Sequence, residues 1–173
     1  MNIFVVLLSV ILSHMIFNFS SDSNPKQWKV VDDVVMGGIS SSRFSIDKNG
    51  HGNFSGHVSL ENNGGFSSVR YQSNQMNISN CKQFEIRLKG DGKAYQFRVK
   101  SSMYDSHSYK FIFETNSNWQ IIQIPFNLLS PSFRGRDLKI PNFSGNNVEE
   151  VGFLIANKKE EDFQLKIDYI KSI

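Results

Sequence analysis

Leu60-Glu61-Asn62-Asn63-Gly64-Gly65-Phe66-Ser67-Ser68-Val69-Arg70 decides how the chain is read. An alternating run, Gly56-His57-Val58-Ser59-Leu60, leads into a polar, glycine-paired turn, and a mixed run through Tyr71 leads out of it. Alternation of this kind fits a strand with one face on a core, because successive side chains of a strand point to opposite faces. Asn and Gly tolerate the positive φ that a tight connection between right-twisted strands requires. The pattern predicts two paired strands joined as a hairpin across Asn62, Asn63, Gly64 and Gly65. Turn chemistry accounts for Asn63, Gly64 and Gly65. It leaves Glu61 and Arg70 unexplained, two charges expected at the rims of the paired strands.

The same pattern repeats outward. Phe84-Glu85-Ile86-Arg87-Leu88-Lys89 and Tyr95-Gln96-Phe97-Arg98-Val99-Lys100 alternate with period 2 on either side of Gly90-Asp91-Gly92. Tyr109 to Glu114, Trp119 to Ile124, Val151 to Ile155 and Phe163 to Ile170 behave alike, and Asp47-Lys48-Asn49-Gly50 is a strong turn signal. Nothing past residue 15 has helical periodicity beyond one possible turn at Phe126 to Leu129. Short strands separated by turn clusters, wet on one face, predict an all-β antiparallel sandwich.

With 173 residues, the chain suits one domain with a real core. Apolar residues make up 39% and charged residues 20%, which excludes a disordered chain. The 15 phenylalanines suit the space between two packed sheets. A net charge of +3 without a basic block argues against a nucleic-acid partner. The single Cys81 excludes an intramolecular disulfide and is expected to be buried. Residues 1–15 carry no Lys, Arg, Asp or Glu, and the apolar run Ile3 to Leu12 has signal-peptide length while being too short for a membrane span. We expect export to the periplasm through this segment, followed by one domain over 16–173; the alternative is a buried first strand.

Catalytic motifs are missing. Histidines 14, 51, 57 and 107 have no metal-binding spacing, and there is no G-x-S-x-G. The pairs Gly50-x-Gly52 and Gly90-x-Gly92 lack the third glycine of a dinucleotide loop and read as hairpin turns. Asp32, Asp33, Glu61 and Asp91 are the carboxylates available for glycoside hydrolysis, but no pattern sets two of them across a cleft. Phe133-Arg134-Gly135-Arg136 is the most interaction-like loop: its arginine forks suit carboxylates, phosphates or a partner's backbone, or else one of them closes a buried ion pair with Glu61 or Asp33.

A family resemblance enters on longer motifs. Trp28-Lys-Val-Val-Asp32-Asp33-Val34-Val-Met36-Gly37-Gly38-Ile-Ser40, Phe54-Ser-Gly56, Leu60 to Arg70, Lys89-Gly90-Asp91-Gly92, Tyr95-x-Phe97-Arg98, Phe133-Arg134-Gly135-Arg136 and Ile155-Ala-Asn157-Lys158 resemble the complex I intermediate-associated protein 30 family. Val34 departs from it, since many members carry glycine there. The resemblance implies a galactose-binding-like jelly roll, a non-enzymatic role and, for mitochondrial members, help in assembling NADH:ubiquinone oxidoreductase. It brings no catalytic residue, metal or cofactor. The compact form resembles exported bacterial members. Two functions stand: an assembly-factor or chaperone-like domain engaging a protein partner, and a carbohydrate or small-ligand module. A sugar site would need exposed aromatics, and Trp28 and Trp119 can be either platforms or core. The binding residues expected are Asp33, Glu61, Asn62, Asn63, Arg70, Phe133, Arg134 and Arg136, with some of the charges Asp33, Glu61, Arg70, Arg134 and Arg136 meeting in one polar cluster at one end of the sandwich and Asn62 and Asn63 beside them.

Overall fold

The computed structural model describes residues 13–173, and the side chains of all of these except Val35 and Met36. The apolar run Ile3 to Leu12, on which the export reading rests, lies outside the described residues.

Two antiparallel sheets form a jelly-roll sandwich. One contains β3 (Ser41–Ile46), β4 (Gly52–Val58), β13 (Glu161–Ser172), β6 (Gln83–Lys89) and β9 (Trp119–Pro125) in that order, with β1 (His14–Asn18) also on β13. The other runs β11 (Arg136–Asp137), β10 (Ser130–Phe133), β8 (Ser108–Glu114), β7 (Ala94–Lys100), β12 (Asn147–Ile155), β5 (Ser67–Asn77), β2 (Trp28–Asp32). Helical structure among the described residues is limited to short 3-10 turns, one of them at Phe126–Leu128 where a single turn was expected. None of it is long and apolar enough to cross a membrane.

Period-2 parity builds the core. Phe84, Ile86 and Leu88 of β6 and Tyr95, Phe97 and Val99 of β7 are buried, while Glu85, Arg87, Gln96 and Arg98 between them face outward. The two inner faces meet through rings: Phe84 lies 5.3 Å from Phe97, and Tyr95 lies 6.5 Å from Phe163. Such pairs add about 1 kcal/mol each beyond the area they bury.

Three expectations are corrected. The Leu60–Arg70 stretch is not a hairpin: β4 pairs with β3 and β13, and β5 pairs with β2 and β12, so the connection crosses from one sheet to the other. Gly90-Asp91-Gly92 likewise joins β6 of one sheet to β7 of the other, whereas Gly50 does close the β3–β4 hairpin. His14 and Met15, assigned from sequence to the leader segment, pair with Ser172 and Lys171 of β13, so the described fold begins before Ile16. Parity shows that a strand is half-buried; it does not show which sheet the strand joins.

The outer face of the seven-stranded sheet as candidate binding site

The crossing connection explains Asp33. β2 ends at Asp32, and Asp33 opens a 3-10 turn over Asp33–Met36. Its carboxylate is buried, 1% exposed, and accepts hydrogen bonds from Ser40 N–H (3.1 Å), Ser40 Oγ–H (2.6 Å), Gly65 N–H (2.6 Å) and Phe66 N–H (3.2 Å). Burial alone would raise this carboxyl. The hydrogen bonds from Ser40, Gly65 and Phe66 outweigh it and hold the group below the usual carboxylate range. The backbone closes around it: a Cβ on Gly64 would lie 2.6 Å from Oδ2. Asp33 is a strut that ties the β2–β3 connection to the β4–β5 connection, and it presents nothing to a ligand. Asp32 does similar work, accepting from Ser42 N–H (2.9 Å) and Ser42 Oγ–H (2.6 Å).

Of the five charges expected to supply a cluster, Asp33 and Glu61 lie at one end of the sandwich, and Arg134 and Arg136 do not join them. Glu61, Asn62 and Asn63 make an exposed 3-10 turn beside Asp33, with φ of 54° at Asn62 and 60° at Asn63. Arg134 and Arg136 are exposed on the β10–β11 hairpin, where the Arg134 guanidinium lies 5.2 Å from the Phe133 ring. Strand register puts these two groups at opposite ends of the sheet. Ser67, which follows the Glu61 turn, pairs with Ile155, whereas Ser132 next to the hairpin tip pairs with Ser108 at the other end. Among the described residues no ion pair links any two of the five charges.

Arg70 alone of that set stands on the sheet's outer face, in company the sequence did not indicate. Through the pairings Lys29↔Arg70, Arg70↔Gly152, Gly152↔Arg98 and Arg98↔Lys110, a single row crosses five strands. The Arg98 guanidinium forms no ion pair among the described residues: it donates to Gln96 Oε1 (2.9 Å), Ser108 Oγ (2.6 Å) and Ser132 Oγ (3.0 Å). Burial, helped by the nearby Arg70 charge and opposed by Glu150, lowers it to about 10. Beside the row lies a groove of about 300 Å³ whose lining includes Lys26, Lys29, Arg70 and Lys100 against the one carboxylate of Glu150. Glu150 is buried and accepts from Gln72 Nε2 at 3.3 Å.

The two outer faces differ in how their charge is compensated. On the six-stranded sheet, Arg87 pairs with Asp168, Lys166 with Asp47 and Lys171 with Glu85. On the seven-stranded sheet, among the described residues, only Lys110 has an acid, Asp137 at 2.7 Å. Every aromatic of β2, β5, β7, β8 and β12 packs toward the core, so these five strands present no ring on the outer face, and the exposed Phe133 stands at the sheet's far edge on β10. The tryptophans divide: Trp28 is core, and Trp119 stands half-buried on the other sheet, with Arg87 4.6 Å from its ring centre and His51 4.5 Å away. Asp91, the remaining candidate carboxylate, accepts from Lys93, Tyr95 and the Gln164 amide, and so fastens a loop.

Comparison with known proteins agrees with this architecture. Solved structures with a similar fold include the family 11 carbohydrate-binding module of a cellulosomal cellulase from Clostridium thermocellum, at a TM-score of 0.69 and 20% identity over 95% of this chain and 96% of that one. A family 30 carbohydrate-binding module aligns at 0.59 and 13% identity, over 93% of this chain and 98% of the module. An uncharacterized Schizosaccharomyces pombe protein is 24% identical over 92% of this chain and 83% of its own length. A Caenorhabditis elegans protein described as a probable mitochondrial complex I intermediate-associated protein 30 is 25% identical over 65% of this chain, a match that spans only 34% of that relative. The family model for complex I intermediate-associated protein 30 matches residues 17–167, nearly the whole described domain, and the chain belongs to that family.

Proposed function

We propose that the chain is a non-catalytic, assembly-factor-like interaction domain that engages a protein partner through the outer face of the seven-stranded sheet. Its family points to intermediates of NADH:ubiquinone oxidoreductase as that partner. The observation that carries the reading is the row of cations in which Lys29, Arg70 and Arg98 have no ion-pair partner among the described residues, on strands whose aromatic rings pack inward. An anionic protein surface complements such a face. A neutral sugar would find no stacking platform there, which puts the carbohydrate reading, supported by fold likeness, second. Glu61, Asn62 and Asn63 at one end, and Phe133, Arg134 and Arg136 at the other, are proposed as flanking contacts.

The test is capture of tagged chain from its own cells under native conditions. Subunits of NADH:ubiquinone oxidoreductase are expected in a sub-assembly smaller than the finished enzyme. Their absence, together with saturable retention of the pure chain on a β-glucan column, would replace this reading by the sugar one.

Export is proposed alongside, from the uncharged apolar run before His14. N-terminal sequencing of the chain recovered from fractionated cells is expected to begin within a few residues of His14. An intact Met1 on cytoplasmic protein would refute it.

A further inference from the structure

Arg70 and Arg98 belong to strands that flank β12, and between them stands Gly152, which has no side chain. With strands about 4.8 Å apart, the two arginine Cα atoms are separated by roughly 10 Å, and the row from Lys29 to Lys110 spans roughly 19 Å. A Cβ at Gly152 would lie 2.5 Å from the Val69 carbonyl oxygen and 3.3 Å from Arg70 Cγ, so the floor of this slot must be bare backbone. Arg98 is held in place on one side by Gln96, Ser108 and Ser132. Of its five N–H groups, three bonds are used and two donors remain. The Arg70 guanidinium donates no hydrogen bond to the described residues. Two arginines that flank a bare-backbone slot, neither of them in an ion pair among the described residues, form a receptor for an anionic group, which would relieve the repulsion between their charges.

The next row along the strands differs in chemistry. Val31 pairs with Ser68, Ser68 with Leu154, Leu154 with Gln96, and Gln96 with Ile112. Val31, Leu154 and Ile112 thus form an aliphatic row about 7 Å from the basic one, and Ile112 is 55% exposed. Phosphate groups have no use for such a row. An extended peptide does, because its successive side chains point alternately to opposite edges. On the far side of the basic row Glu150 repels acid and sets a limit to the site.

Resting on the reading that this chain engages a protein, we infer that Arg70, Gly152 and Arg98 are the centre of a docking site for an extended acidic–aliphatic segment of that partner. Its carboxylates sit over the two arginines and its aliphatic side chains lie on Val31, Leu154 and Ile112.

The test uses the full chain and a fluorescein-labelled peptide of alternating glutamate and leucine, followed by anisotropy. Saturable binding that weakens as salt is raised is expected. Arg70→Gln, which breaks no internal hydrogen bond, is expected to weaken binding about tenfold with an unchanged thermal midpoint. Replacing the peptide's glutamates by glutamine, or its leucines by serine, is expected to weaken it as well. Arg98→Gln provides a second probe where circular dichroism shows the native spectrum. Equal binding by Arg70→Gln, or by the glutamine peptide, overturns the inference. So does displacement of the peptide by inorganic polyphosphate as effectively as by unlabelled peptide, which would mark a plain anion site. The two proposals fail separately. If Arg70→Gln captures oxidoreductase subunits from cells as well as the unaltered chain does, the docking site falls and the assembly role stands. If the unaltered chain captures none but binds the peptide, the assembly role falls.

Discussion

Asp33→Ala is expected to lower the unfolding free energy by on the order of 4 kcal/mol, read as a shift of the urea midpoint at constant slope. The carboxylate accepts from three backbone amides and one hydroxyl in a site closed to solvent. Its removal strands the Ser40, Gly65 and Phe66 amides, and an orphaned buried donor costs about 1–3 kcal/mol. The Ser40 hydroxyl suffers least, since it already lies 3.3 Å from the Ser59 carbonyl. Such a loss is a large part of the roughly 5–15 kcal/mol that a domain has. The acid limb of stability carries the same signature. The folded carboxyl titrates below its unfolded value of 3.8, so its contribution is complete above that pH and is lost as pH falls through the folded value. Asp33→Asn is expected to remove that component of the acid limb while also lowering stability at neutral pH. Arg134→Ala is the control: an exposed hairpin-tip residue without an acid partner among the described residues should stay within about 0.5 kcal/mol of the unaltered chain. Equal midpoints for Asp33→Ala and Arg134→Ala would refute the strut.

The contrast between these residues shows what the sequence made legible. Strand existence and facing came from local parity, as in Phe84 to Lys89 and Tyr95 to Lys100, since burial alternates wherever one face is wet. The turn residues Asn62, Asn63 and Gly65 were recognisable because positive φ is a property of single residues. Partner choice was not legible. The same alternating runs would serve a hairpin or a crossing between sheets, and only the packed inner faces decide, here in favour of crossings at Glu61 and Asp91. Grouping Asp33 with Arg134 assumed one end of the sandwich, but end assignment follows from register, a non-local property. Arg98, Lys29 and Lys110 carried a weak signal, each being the outward residue of an alternating run. Their alignment into one row appears only when β2, β5, β12, β7 and β8 are in register.

Trp28→Ala is expected to cost about 4 kcal/mol, because the indole fills a site that only a large ring can fill. It is 3% exposed and lies among Phe17 (5.4 Å between ring centres), Phe19 (5.4 Å), Phe44 (5.2 Å), Tyr71 (5.4 Å) and Phe153 (6.4 Å). Phe17 and Phe44 come from the six-stranded sheet, and Tyr71 and Phe153 from the seven-stranded one, so Trp28 joins the two layers. Its Nε1–H has no hydrogen-bond partner among the described residues. Packing therefore accounts for its place, and Trp28→Phe, which keeps a ring and discards that unpaired donor, should cost less than half as much. Trp119→Ala removes a half-exposed ring and its contact with the Arg87 cation, and should cost about 1 kcal/mol. Acrylamide should quench emission from Trp119 strongly and from Trp28 little, as compared in the two single-tryptophan variants Trp28→Phe and Trp119→Phe. If Trp28→Ala kept full stability and instead abolished retention on a β-glucan, Trp28 would be a sugar platform, and the protein-partner reading would lose its advantage over the carbohydrate one.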